Sequence, residues 1–390
     1  MESNENQFVW PDFKHSVVNL AATIEQFLGK MPKHPVLPKL AEKLKSNYKN
    51  VVYIVIDAMG SKILEKNLPA DSFFRKHQID TVTSVFPSTT TAATTSLITA
   101  MTPAEHGWFA WTVDFDGEVI ALFRNRNYYT KELTADPDFA HHKLPYQKFF
   151  DDVHNDRAIY TCLPDNISKI HSPHEIEFHT LGQMFRRLKQ VCRQPDKKFV
   201  YSYFSDLDHF MHTYGTTARR SRNLLRKIEH KIARLAKRNS DTLFVITADH
   251  GQVDVNGFVY FCDDTELQSC LAHPISLDPR GACFKLKPGK DRVFRAAFQK
   301  YEPDFALFPS QELIQKGVFG DFKLHPEYQK YLGDYIAIGK NTAKMAVFVK
   351  RDQYRKGHKL YRGIHTGLTV DEMMVPVIVV EGGKLNSARR

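Results

Sequence analysis

Along this chain, short apolar runs rich in β-branched and aromatic residues alternate with longer stretches whose apolar positions recur at helical spacing. VVYIVID is followed by a helical pattern from Ser61, and TVTSVF by an Ala/Thr-rich helix. Strand-like runs return as AIYTC, FVYSYF, LFVIT and VPVIVV. Runs that are apolar at nearly every position, rather than at alternate ones, belong to strands covered on both faces. The alternation therefore predicts an α/β fold with a mostly parallel central sheet and helices on both faces. In such sheets ligands gather at the carboxyl ends of the strands, so the residues just past each run carry the chemistry.

In RRSRNLLRKIEHKIARLAK, from Arg219 to Lys237, Leu224, Leu225, Ile228, Ile232 and Leu235 fall on one stripe with cations elsewhere, the pattern of a solvated outer helix; a nucleic-acid surface is the alternative. Between His250 and His365 the simple alternation breaks at Pro274, Pro279 and Pro288. There ACFKLK, DRVFRAAFQKY and FALF predict a small α+β cap over 274–334. It is inserted into a core of 51–273 and 335–382, behind a helical lead-in over 1–50.

A length of 390 residues suits one elaborated domain, and 42% hydrophobic with 25% charged residues excludes long disorder. The formal net charge of +10 favours anionic partners, phosphorylated small molecules or nucleic acid among them. Cys162, Cys192, Cys262, Cys270 and Cys283 are odd in number and lack CxxC spacing, so neither a disulfide framework nor a structural zinc site is expected. MESNENQFVW has no signal-peptide pattern, and no apolar run approaches the roughly 18 residues of a membrane span. The expected location is the cytoplasm, with no membrane partner. The Asn166-Ile167-Ser168 sequon is then a coincidence, and the basic tail KLNSARR a frayed end.

Seven residues at or just past the strand ends have the types that hold divalent metals around a nucleophile: Asp57, Thr90, Asp208, His212, Asp249, His250 and His365. Asp57 precedes Ala58, Met59 and Gly60, which let a loop bend over a cation. Thr90 lies in PSTTTAATTSLITAM, where a helix opens and its free amides favour negative charge. Ser88, Thr89 and Thr91 are chemically equivalent choices there, and all four could simply cap the helix. Asp208 and His212, four apart, point the same way from one helical turn, with Asp206 and His209 as competitors. Asp249 and His250 emerge together from LFVIT, and mixed aspartate and histidine suit zinc or another borderline ion. His365 sits between glycines in GIHTG.

These motifs resemble the alkaline phosphatase superfamily, and within it the nucleotide pyrophosphatase/phosphodiesterase group. The resemblance runs from about Val51 to Val380 through VIDAMG, SVFPSTTTAATTSLITAMTPAEHG, the Asp208/His212 pair, TADHG and GIHTG. It implies two divalent metals, zinc with manganese as the alternative: one on Asp57, Thr90, Asp249 and His250, and a second on Asp208, His212 and His365. The nucleophile it implies lies three residues after Pro87 and nine before Thr99, which is Thr90. The implied reaction is in-line attack by Thr90 on a small phosphorylated substrate, a nucleotide or phosphodiester, followed by hydrolysis of phosphothreonine. Phosphomonoesterase or phosphomutase activity on the same metal set, and a basic nucleic-acid-binding pseudoenzyme, are the competing readings. No C-x-P-x-R or S-x-P-x-R motif follows the first strand, which disfavours a sulfatase. Extracellular members place an asparagine four residues after the glycine of their HG element, where this chain has Trp111. Either Trp111 substitutes through its indole N–H, or Asn125 or Asn127 reaches in as the substrate contact, or the substrate differs; the surrounding aromatic cluster reads as packing beneath the site, with nucleobase stacking as the alternative.

Overall fold

The computed structural model describes residues 8–153, 155–165, 170, 172–320, 324–357 and 361–383. The sequon and the basic tail lie outside the described residues. Seven strands form the central sheet, in the order Gln78–Thr83, Met374–Glu381, Thr242–Thr247, Asn50–Ile56, Lys197–Phe204, Arg157–Pro164 and His174–Phe178. Asn50–Ile56 runs parallel to both neighbours, as does Arg157–Pro164, whereas Met374–Glu381 is antiparallel to both of its own. Every residue of Asn50–Ile56 and Thr242–Thr247 is buried, which is why both read as unbroken apolar runs. Helix Arg219–Lys237 packs against Leu181–Arg193, Phe73–His77 and Asp206–Tyr214, and Val17–Phe27 packs against Thr90–Thr99.

The stretch expected as a lead-in belongs to this core. Val17, Val18, Leu20 and Ile24 are buried with the central strands, and Ser16 forms a bridge to Thr83.

The smaller layer is also not confined to 274–334. Ser276–Asp278, Gly281–Phe284 and Phe305–Pro309 join Tyr335–Gly339, Thr112–Phe115, Glu118–Ala121 and Arg126–Asn127 in a second seven-stranded sheet. Thr112–Phe115 and Glu118–Ala121 form a hairpin across Asp116 (φ 57°) and Gly117 (φ 96°), the two left-handed residues that a tight Asp-Gly turn demands. Thr112 then pairs with Leu277, and its hydroxyl donates to the Leu277 carbonyl at 2.7 Å. This long-range pairing draws chain from both sides of the expected insert into one layer. Among the described residues no helix is long and apolar enough to cross a membrane, and all five cysteines are free thiols.

Candidate metal centre

The parallel register brings the strand ends together. Ile56 pairs with Phe204 and Val55 with Thr247, so Asp57, the helix Asp206–Tyr214 and the pair Asp249/His250 leave the sheet side by side. The loops they enter touch closely. A Cβ on Gly60 would lie 2.6 Å from the Gly251 Cα, and one on Gly251 would lie 2.0 Å from the Asp371 carbonyl oxygen. Only glycine permits that approach. Thr90 opens helix Thr90–Thr99, and His365 follows the short strand Gly363–Ile364.

The donor atoms converge. His250 Nε2 is 3.4 Å from Asp57 Oδ1, 3.6 Å from Asp249 Oδ2 and 3.3 Å from Thr90 Oγ1. Asp208 lies 3.2 Å from His212 Nε2 through Oδ2, and 3.8 Å from His365 Nε2 through Oδ1. Ligands about 2.0–2.2 Å from one tetrahedral cation stand roughly 3.3–3.6 Å from each other, so the spacing is that of a shared ion. Asp57 Oδ1 and Asp249 Oδ2 are buried and accept no hydrogen bond. Burial, then the neighbouring Asp249 and Asp208 carboxylates, push the Asp57 carboxyl well above its usual range. A divalent cation removes both penalties at once. The residues therefore fit a metal. Among the described residues two groups have their ligand atoms within 4.8 Å, Asp57 with Asp249 and His250, and Asp208 with His250 and His365. His250 is common to both, its ring stacked on that of His365 with centroids 3.9 Å apart.

The surroundings orient the histidine rings and fix their tautomer. His250, His212 and His365 each direct Nδ1 at a backbone carbonyl: Gly251 at 3.0 Å, Gly363 at 2.7 Å and Ser88 at 3.0 Å. A carbonyl only accepts, so Nδ1 carries the proton and the Nε2 lone pair faces the carboxylates. Burial, aided by His250, holds His365 well below its ordinary pKa. At His212 burial acts in the same direction, but Asp208 outweighs it and raises the pKa. Two orienting groups were not foreseen from sequence. The Tyr203 hydroxyl donates to Asp57 Oδ2, and the Gln252 amide donates to Asp208 Oδ1. The remaining Asp249 oxygen, Oδ1, accepts the Ala58 N–H at 3.0 Å and the His250 N–H at 2.9 Å.

The His365 loop is fastened by a fully buried ion pair. Arg280 Nε and Nη2 meet Glu372 Oε1 and Oε2 at 2.7 and 3.1 Å. Glu372 also accepts the Gly367 N–H at 2.8 Å and the Thr369 hydroxyl at 2.7 Å. Arg280 donates in addition to the Lys344, Lys340 and Gly339 carbonyls of the second layer. The pair thus joins that layer to the loop bearing His365.

Of the four hydroxyls at the helix start, Thr90 alone faces the cluster. Ser88 Oγ donates to the Gly367 carbonyl at 2.7 Å, Thr91 Oγ1 is buried apart, and Thr89, the N-cap, makes no capping bond. A cleft of about 740 Å³ opens over Thr90, lined by Asp57, Asp208, His212 and His365, with Asp206 and His209 on its wall. Trp111 lines it too, whereas Trp108 and Phe109 are buried. Asn125 and Asn127 do not reach the cleft. The Asn125 amide donates to the Pro137 carbonyl at 2.6 Å and accepts the Ala140 N–H at 2.9 Å, and Asn127 Oδ1 accepts the Tyr129 N–H at 2.9 Å. Both side chains are spent on holding turns. At the place expected for an asparagine, the Trp111 backbone N–H donates instead to Asp278 Oδ2 at 3.0 Å. Burial lifts the Asp278 carboxyl to about 7, with the Trp111 N–H and the Thr89 side chain acting against it.

A model of the family described as type I phosphodiesterase / nucleotide pyrophosphatase matches residues 51–312. No curated protein matches the chain significantly. Among solved structures, an inactive murine ectonucleotide pyrophosphatase / phosphodiesterase 5 in complex with AMP is similar at a TM-score of 0.60 and 14% identity, over 84% of this chain and 87% of that one. Phosphonoacetate hydrolase from Sinorhizobium meliloti 1021 with phosphonoformate is similar at 0.59 and 15%, over 84% and 89%. At such identities the likeness concerns the fold, and it agrees with a central, mostly parallel sheet.

Proposed function

Because the chain belongs to the type I phosphodiesterase / nucleotide pyrophosphatase family, we propose that it hydrolyses a phosphodiester or pyrophosphate bond in a small, nucleotide-like substrate, with Thr90 as nucleophile. Two divalent cations, zinc or manganese, are part of this reading. Asp57, Thr90, Asp249 and His250 would hold one, and Asp208, His212 and His365 the other. When bound, the cations lower the pKa of the nucleophile and offset charge on the phosphoryl oxygens. The observation that carries the reading is the Thr90 hydroxyl, 3.3 Å from His250 Nε2 at the edge of the buried carboxylates.

In the chain's own part of the reaction, Thr90 Oγ1 releases its proton to solvent and attacks phosphorus in line with the leaving oxygen, which takes up a proton from solvent as it departs. The Oγ1–P bond forms as the P–O bond to the leaving group breaks. Water then cleaves the phosphothreonine ester, releasing the phosphorylated product and restoring the hydroxyl. Asp57 and Asp208 are kept in place for this by Tyr203 and Gln252. The neighbour bound to AMP supports a nucleotide as substrate, and the Trp111 ring offers the cleft an apolar wall.

The test compares wild type with Thr90→Ala on a chromogenic thymidine diester, a p-nitrophenyl monoester and phosphonoacetate, each with zinc, manganese and magnesium. Wild type should prefer the diester, and the variant should lose roughly three orders of magnitude in turnover with its metal content nearly unchanged. Wild-type turnover by Thr90→Ala would remove the nucleophile assignment. A preference for the monoester or the phosphonate would remove the diesterase reading.

A further inference from the structure

Two adjacent helices present six exposed cations on one surface. Arg219–Lys237 turns Leu225, Ile228, Ile232 and Leu235 into the core. Arg219, Arg226, Arg234 and Lys237 are exposed, and at 3.6 residues per turn they fall within a quarter of the helix circumference. The helix's only acid, Glu229, accepts the Phe74 N–H at 2.8 Å. Leu181–Arg193 packs alongside, with Lys231 Nζ 5.7 Å from the Phe185 ring centroid, and it contains no acid. It adds Arg186 and Arg193, both exposed. Among the described residues none of these six cations is ion-paired. The longer helix has 19 residues, which gives the stripe a length of about 28 Å.

One end of this surface meets the cleft. Helix Asp206–Tyr214, which bears Asp208 and His212, packs against Arg219–Lys237. Tyr214 is 38% exposed, and the Arg220 guanidinium lies 4.6 Å from its ring centroid and donates to its hydroxyl at 2.6 Å. The exposed Arg362 donates its backbone N–H to the His212 carbonyl at 2.8 Å. Next to it Tyr361, 39% exposed, lines the cleft with its ring 4.9 Å from that of His212. Two partly exposed tyrosines and their neighbouring cations therefore lead from the rim of the cleft to the start of the basic helix.

We propose that this two-helix face docks a single-stranded nucleic acid, its phosphates lying along the exposed arginines and one end of the strand reaching the cleft rim. Arginine forks grip phosphate oxygens in pairs, and exposed rings accept unstacked bases, the combination by which single strands are held. An anionic membrane is the poorer match. None of the exposed large apolar residues among those described, Met31, Leu133, Tyr214, Val293, Tyr361 and Val370, lies on either helix, so nothing there can insert into lipid. Docking itself does not need the chemistry proposed for Thr90; delivery of the strand's end as substrate rests on that reading.

The test uses the full-length Thr90→Ala protein, to prevent cleavage, and a fluorescent 20-nucleotide oligouridylate followed by anisotropy across a salt series. A second protein adds Arg219→Gln, Arg226→Gln, Arg234→Gln and Lys237→Gln. The first should bind with a Kd tighter than about 100 µM at physiological salt, and the second at least tenfold more weakly, its log-log salt slope shallower by roughly 2–3. The same four substitutions with Thr90 intact should leave turnover of the small thymidine diester unchanged, which establishes that the fold survives. Equal binding by both proteins overturns the proposal. So does the absence of saturable binding, or binding to phosphatidylserine vesicles that the oligouridylate cannot displace. Loss of diester hydrolysis by wild type would instead sink the reading of the cleft while leaving the docking result intact.

Discussion

Glu372→Ala tests how the metal ligands are held rather than what they do. Glu372 and Arg280 are both 0% exposed, and their carboxylate and guanidinium meet through two bonds of 2.7 and 3.1 Å. Removing the carboxylate leaves a buried guanidinium with backbone carbonyls but no counter-ion, a change that costs about 3–5 kcal/mol. The Gly367 N–H and the Thr369 hydroxyl lose their acceptor in the same step. These losses overlap, so about 3–5 kcal/mol is the expected total against an overall stability of about 5–15 kcal/mol. The loop they release carries His365, two residues from Gly367. The variant should therefore bind less metal than wild type at limiting zinc and recover part of it in excess. Urea unfolding measures the first effect and elemental analysis after gel filtration the second. A variant within 1 kcal/mol of wild type, with full metal content, would show that the pair neither stabilises the fold nor restrains the loop, and the reasoning would fail.

Three further outcomes follow from particular contacts. Tyr203→Phe removes the hydroxyl that orients Asp57 and keeps the ring, so zinc affinity in a chelator competition should fall about 10–100-fold with little change in the unfolding midpoint; an unchanged affinity would contradict this. Gly251→Ala places a methyl 2.0 Å from the Asp371 carbonyl, and because backbone must move to admit it, a loss of at least about 1–3 kcal/mol is expected in thermal or urea unfolding. At Glu105 burial works against ionisation, but His34, Lys33 and the Thr102 N–H overcome it and hold the carboxyl at about 2, below its ordinary 4.5. A depressed folded pKa gives stability that is complete above about 4.5 and lost as pH falls toward 2, so the deficit of Glu105→Gln at pH 7 should close across that window; a deficit independent of pH would refute the assignment.

The middle of the central sheet was legible because its inner strands are buried on both faces and read as continuous apolar runs with a functional residue directly behind. Asp57 after Asn50–Ile56 and Asp249/His250 after Thr242–Thr247 are of this kind, whereas the edge strand His174–Phe178 is largely polar and exposed. What pairs across long stretches of chain was not legible. Thr112 meets Leu277 in the second sheet, and nothing local to either marks the other; the Asp116-Gly117 dipeptide is a local hairpin signal that went unread. Tyr203 was hidden inside an apolar strand, where a tyrosine reads as packing, although its hydroxyl emerges at Asp57. Gln252 and Asp278 are single polar residues outside any repeating pattern, and their partners, Asp208 and Trp111, are more than forty and a hundred residues away. Asn125 misled for the opposite reason. Its left-handed backbone (φ 44°) is the local signature of a turn, and that turn uses its amide.

The carbonyls that receive Nδ1 of His250, His212 and His365 belong to the main chain at Gly251, Gly363 and Ser88. No side-chain replacement can delete those acceptors, so drift in the surrounding sequence has little purchase on imidazole basicity. Asp57 and Asp208, by contrast, lean on Tyr203 and Gln252, which a single codon can change. Any adaptation toward a harder or softer ion, natural or engineered, would therefore be expected to surface first in the company kept by Asp57 and Asp208.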